Sequence, residues 1–303
     1  MRIKVYILTK QKQKKMRTRT KLLTMALFML SALGCSAHIL QFSDEEVRVY
    51  ADNYDALAFR CNIAGQDALT ELGQKYYVPK DCSMFLYHLF VEREVRKATY
   101  DYTRHNPIDR VRCKRMIDSL YQDSVDVRLM PYNQGIAGEN ISISLRMAKT
   151  LGISADRRAD IMKLGLYVAR QLRKNPRYYY DAVVMDSLRT FMTRKQLTDM
   201  LRSKNVVRAV NMARKAWKEV VAAGLIENED SAECCDKAIE YYLQERVIND
   251  MYVGHDKALK SNLRELWKHQ PLIVRMKESM RKKESMEQER RNENENNDNG
   301  MAW

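Results

Sequence analysis

Glycine, proline and long apolar runs are all scarce in this chain. Ten glycines and five prolines are spread over 303 residues, and apolar–polar alternation of strand period is nowhere sustained, so the expected class is all-α. The longest uninterrupted apolar run, Leu22 to Gly34, is 13 residues, whereas a helix crossing a bilayer takes about 20. The five histidines never fall at i and i+4, and the six cysteines form neither a CxxC pair nor a zinc knuckle; metal binding is unsupported. A Gly-rich phosphate loop, GxSxG, HExxH and an EF-hand loop are also missing. Carboxylates are plentiful, as in "ENEDSAE", but acids at a helix start suit the helix dipole and form no site without a paired base, nucleophile or metal. The expectation is a protein with no catalytic residues, no metal and no cofactor.

The formal charge of +14 and pI near 9.4 invite a nucleic-acid reading. Residues 1–37 hold nine of the 53 Lys and Arg and none of the 39 acids, so the remainder carries 44 bases against 39 acids, about +5. That modest excess describes a solvated helical surface and does not support nucleic-acid binding.

The basic residues at the start flank the apolar run. Arg17, Arg19 and Lys21 follow Met16, then comes "LLTMALFMLSALGCSA", whose Ser31, Ala32, Gly34, Ser36 and Ala37 are the small residues a signal peptidase accepts. This is the layout of a secretory signal over residues 1–37, with Met16 as the suspected start. "ALGC", ending at Cys35, resembles the bacterial lipobox, in which the Cys is acylated; Ala32 stands where Leu is usual and Leu33 where a small residue is preferred. Ordinary cleavage after Ala37 is the competing reading, and an uncleaved anchor extended through Ile39 and Leu40 is the third. All three place the rest of the chain outside the cytoplasm, periplasmic or held as a lipoprotein, since a positive flank stays inside. Contact with a membrane is expected only through the leader or a lipid on Cys35.

From Ser43 onward helical signals form two bundle units. In the first, residues 38–122, Ser43 and Glu46 make a capping box opening a helix towards Tyr77; a second helix runs from Asp81 to about Arg104 and a third from Asp109 to Gln122. Residues 123–141, with Pro131, Gly135 and Gly138, read as an irregular linker loop. The second unit, residues 142–276, begins with a short helix at about Ile143 to Leu151. A helix follows that is capped by Ser154 and buries Ile161, Leu164, Val168 and Leu172. Next come a helix from about Tyr179 to Phe191 and a long one from Arg194, with Val210, Ala213, Trp217 and Val220 inward and Gly224 as its stop. Further helices turn Ile239, Tyr242 and Leu243 inward, run from Asp256 to Trp267, and begin at Pro271. Residues 277–303 have too few apolar positions to pack well and form a charged, partly disordered tail: the stretch from Lys277 reads as a frayed, charged helix and "NENENNDNGMAW" as disordered.

Helix lengths constrain the cysteines. Cys61 and Cys82 are separated along a straight hairpin, whereas Cys61 and Cys113 come level, so that pair is the expected bridge; two buried thiols acting as small hydrophobes are the alternative. The adjacent Cys234 and Cys235 read as one core thiol and one long-range partner, or as a redox pair.

"ISADR" at 153–157 and "MTRKQ" at 192–196 each precede an amphipathic helix. Each resembles the LTxxQ signature of the Spy/CpxP family of small periplasmic helical proteins; in the second, Met192, Thr193 and Gln196 match in kind, while the first departs, with Ser154 replacing Thr and Arg157 standing where Gln is expected. The same residues also make plain helix caps. The resemblance covers about residues 142–205. It implies a helical, non-enzymatic protein that shields unfolded clients or senses envelope stress. The resulting expectation is an exported binding protein of the bacterial cell envelope, with protein clients or envelope partners, acting through an apolar or Tyr-rich groove in the second unit. The alternative is a lipid-tethered structural or scaffold component of an envelope apparatus.

Overall fold

A computed structural model describes residues 42–226 and 231–299, with the side chains of residues 231–232 and 292–299 left aside. The chain is all-α, and its helices cluster into two bundle-like units. The first comprises residues 42–142 together with Gly165–Arg173; the second comprises Ile143–Leu164 and the residues from Lys174 onward. The leader, with Cys35 and Ala37, lies outside the described residues. Among these, no helix is long and apolar enough to cross a membrane.

The first unit opens with α1 (Asp44–Asp52), α2 (Tyr54–Lys75), α3 (Lys80–Thr103) and α4 (Pro107–Leu129). Ser43 forms the expected capping box, its hydroxyl accepting from the Glu46 amide at 3.2 Å while Ser43 N–H donates to the Glu46 carboxylate at 2.8 Å. The single first helix expected to run to Tyr77 is broken at Asn53, whose side-chain amide donates to the Val49 carbonyl at 2.9 Å. Asn competes with the helix ladder in this way, which releases α1 to turn onto α3. Tyr50, Leu57, Cys61, Val95 and Ala98 then form a core under Phe42 and Val91.

The expected linker at 123–141 is largely helical. Ile117, Tyr121, Val125 and Leu129 are buried at four-residue intervals, so the apolar face of α4 continues seven residues past Gln122. The carboxylates of this stretch are held by arginines of α7 (Ala155–Lys174). Arg170 grips Asp123 at 2.6 Å, and Arg173 grips Asp123 at 2.7 Å and also pairs with Asp126. Helices α5 (Gln134–Ala137) and α6 (Glu139–Arg146) flank Gly138, whose φ of 94° turns the chain between them. Asn133 closes the unit by exchanging two 2.8 Å hydrogen bonds with the backbone of Tyr77.

The second unit is built on α8 (Asp181–Phe191), α9 (Arg194–Ala222), α10 (Ser231–Met251), α11 (Asp256–Trp267) and α12 (Leu272–Asn299). The buried seam of α9 is Asn205, Ala209, Ala213, Ala216 and Val220; Val210 and Trp217, expected inward, are only half-buried. Three alanines in that seam let α10 approach closely, and larger side chains are displaced to its border. Polar links fix the pair: Arg202 is bidentate to Glu240 at 2.8 and 2.7 Å, and the Asn205 amide donates to Asp250 at 2.8 Å. On α7 Ile161 and Val168 are buried, with Leu164 and Leu172 half-buried; on α10 Tyr242 and Leu243 are buried and Ile239 is half-buried. The charged helix expected from Lys277 continues into the stretch expected to be disordered, because the backbone of α12 stays helical to Asn299. No Gly or Pro interrupts it, and Glu, Arg, Lys, Gln and Met are good helix formers.

Candidate functional site

A shallow surface groove lies in the second unit, where the end of α9 meets the first turns of α12. Helix α9 finishes in a Schellman turn: Gly224 at φ 66° donates to the Val221 carbonyl at 2.9 Å, and Leu225 donates to the Val220 carbonyl at 3.2 Å. The turn leaves Leu225 exposed beside α12. On α12, Ile273, Val274 and Lys277 are buried, while Leu272, Arg275, Met276, Ser279, Met280 and Lys283 line a shallow groove with Leu225. Those six positions fall at i, i+3, i+4, i+7, i+8 and i+11, so they form one continuous helix face. The groove holds about 280 Å³.

Lys277 turns inward to Glu219, 2.9 Å away, and that hydrogen bond holds the Glu219 carboxyl below its ordinary range. Glu278 accepts from the Gln270 amide at 2.9 Å, and the same amide group reaches the Tyr241 hydroxyl at 3.2 Å. Among the described residues, the lining carries the cations Arg275 and Lys283. The sequence-level division at residue 277 cut this stripe in two; the spacing of Leu272, Met276 and Met280 was the signal that could have found it.

The signature-like caps are brought together. Thr193 and Gln196 form a reciprocal capping box at the start of α9, with Thr193 N–H donating to the Gln196 side-chain oxygen at 2.9 Å. The amide nitrogen of Gln196 reaches further, donating to the carbonyls of Leu151 at 2.9 Å and Gly152 at 3.2 Å, directly before the Ile153–Ser154 pair. Ser154 accepts from the Arg157 amide at 3.4 Å. One side chain thus caps its own helix and holds the segment carrying the first copy.

Cys61 and Cys113 are free thiols, as are Cys82, Cys234 and Cys235. Cys61 is 1% exposed among Tyr50, Leu57, Val95 and Ala98, where it acts as a small hydrophobe, and burial pushes its thiol up. Burial also raises Cys82 and Cys235, which disfavours the reactive thiolate.

The first unit holds a buried charged network that composition did not reveal. Arg96, 1% exposed, lies between Glu92 and Glu46; its Nε donates to Glu92 Oε1 at 3.4 Å, and Tyr121 donates to the same oxygen at 2.6 Å. Burial raises the Glu92 carboxyl and also the Tyr121 phenol above their ordinary ranges. This network fastens α1, α3 and α4 to one another. Among the described residues, no group of three or more His, Cys, Asp and Glu side chains is gathered as metal ligands would be.

Comparison with family models, with curated proteins and with solved structures finds no match.

Proposed function

We propose that this chain is an exported, non-enzymatic helical binding protein of the bacterial cell envelope, chaperone-like or stress-related, that takes protein partners through the α9–α12 groove of its second unit. The observation that carries the reading is the stripe of Leu272, Met276 and Met280 beside Leu225, an apolar line next to the buried Ile273 and Val274 of α12 that is left partly open. Methionine side chains repack around different partners, which suits a surface serving several clients. The leader over residues 1–37 supports export, and the resemblance at 153–157 and 192–196 supports the chaperone-like form. The chain without its leader, residues 38–303, is expected to delay the aggregation of chemically reduced α-lactalbumin at stoichiometric ratio, followed by light scattering. An unchanged aggregation time, together with no partner recovered on cross-linking, removes the reading.

A second reading, a lipid-tethered scaffold component, is favoured by the outer part of α12, where residues 281–291 are exposed along the whole helix. Palmitate labelling that disappears in Cys35→Ala, with co-purification of a defined complex through residues 281–299, would select it. Intact mass measurement of the exported protein separates acylation at Cys35 from cleavage after Ala37.

A further inference from the structure

We infer that the buried Arg96–Glu92 pair of the first unit is a binding site for an internal water molecule, held between Arg96 Nη2 and Glu92 Oε2. The inference is independent of the binding role proposed above. Both atoms are shut off from solvent and, among the described residues, neither has a hydrogen-bond partner. Arg96 is 1% exposed and Glu92 7%. Buried polar groups are almost always hydrogen-bonded, and leaving a charged one unmet costs more than leaving a neutral one.

The two atoms belong to one unfinished fork. A guanidinium meets a carboxylate best through two parallel N–H···O bonds; here the arm from Arg96 Nε to Glu92 Oε1 is made, at 3.4 Å, and the arm from Nη2 to Oε2 is not. Three anchors hold the fork open. Tyr121 donates to the same Oε1 at 2.6 Å, the Phe42 ring packs on the guanidinium at 4.0 Å, and Arg96 Nη1 is turned towards Glu46, 4.0 Å away.

Charge selects the occupant. A metal or ammonium ion meets the like charge of Arg96 and offers it no acceptor; an anion meets the like charge of the Glu92 carboxylate and offers it no donor. Water accepts from Nη2 and donates to Oε2, which is enough to hold it, since internal water makes roughly two to four hydrogen bonds. It also serves Glu92 in both protonation states, because it can turn to accept from a carboxyl proton, and burial raises this carboxyl above its ordinary range.

A crystal structure of the full chain, refined to a resolution at which ordered water is visible, tests the site directly. Solvent density within about 3.2 Å of both Arg96 Nη2 and Glu92 Oε2 is expected. A fork closed by a direct bond between the two atoms, or no density at the site, overturns the inference. In solution, magnetic relaxation dispersion of the water oxygen counts internal molecules that exchange slowly. The Arg96→Met/Glu92→Leu variant should lose one such molecule relative to the native chain, whereas Glu92→Gln, whose amide still offers water a donor and an acceptor, should keep it. Circular dichroism checks that the helices persist. An unchanged count in the folded double variant, or an equal loss in folded Glu92→Gln, overturns the inference; should the double variant lose its helices, the crystallographic result decides.

Discussion

The guanidinium of Arg96 lies 4.0 Å from the centre of the Phe42 ring. Phe42 immediately precedes the Ser43 cap of α1, and the Glu46 carboxylate lies 4.0 Å from Arg96 Nη1. One buried cation of α3 thus receives the beginning of α1 through a ring face and a carboxylate, while Glu92 and Tyr121 fix its position from α3 and α4.

Phe42→Ala is expected to destabilise the first unit by about 2 kcal/mol, the size of a desolvated cation–π contact. Arg96→Met should cost about 3–5 kcal/mol, because Glu92 is left as a buried carboxylate without its cation. Adding Glu92→Leu to Arg96→Met should restore much of that loss, since Glu46 keeps its capping hydrogen bonds to Ser43. Urea unfolding of the three variants reads the order, and a double variant no better than Arg96→Met would contradict the account.

Glu92 also sets a pH dependence. Burial raises its folded-state pKa above the unfolded value, so the folded protein binds the proton more readily and ionisation weakens folding. Its contribution therefore grows as pH falls through the folded pKa towards the unfolded value of about 4.3. Asp126 has the same sign, also through burial, whereas Glu219, lowered by Lys277, loses its contribution as pH falls below the unfolded value. Glu92→Gln should flatten the stability profile above about pH 4.3, measured by chemical unfolding at a series of pH values; an unaltered slope would remove Glu92 from the explanation.

Two glycines of α2 should respond oppositely to alanine. A Cβ on Gly65 would come 2.6 Å from Val91 Cγ2 and 3.1 Å from the Val91 backbone nitrogen, whereas one on Gly73 meets nothing within 4 Å. Gly65→Ala is expected to cost about 1–3 kcal/mol through forced separation of α2 and α3. Gly73→Ala should stabilise by about 0.5–1 kcal/mol through helix propensity and lower unfolded-chain entropy. Thermal unfolding of the two variants should move in opposite directions.

Where an element depended on neighbouring residues, its sequence was readable. The caps at Ser43 and Thr193 and the stop at Gly224 are local hydrogen-bond chemistry, and the structure has all three. The helical course of 123–129 was obscured because the partners of Asp123 and Asp126 are Arg170 and Arg173, about fifty residues away. Likewise, small alanines rather than the bulkier Val210 and Trp217 form the seam of α9, because the spacing of apolar residues alone does not weigh the closeness of the opposing helix. The groove lining joins Leu225 to residues 272–283, a juxtaposition that only the Schellman turn and the start of α12 bring about.

The reach of Gln196 beyond its own helix can be separated from ordinary capping. Gln196→Ala removes both the return bond to Thr193 and the donors to Leu151 and Gly152, and should cost about 1–3 kcal/mol as a lost cap plus a lost side-chain hydrogen bond. Gln196→Glu keeps an acceptor for Thr193 N–H but faces the two carbonyls with a carboxylate. If Gln196 only caps α9, the Glu variant should match the native protein, since Glu is as good as Gln in a capping box. If it also holds the 151–152 turn, the Glu variant should lose stability, and amide exchange should quicken at residues 151–157 while the start of α9 stays protected. Hydrogen exchange resolved by residue therefore distinguishes a helix cap from a tether between the two signature-like segments.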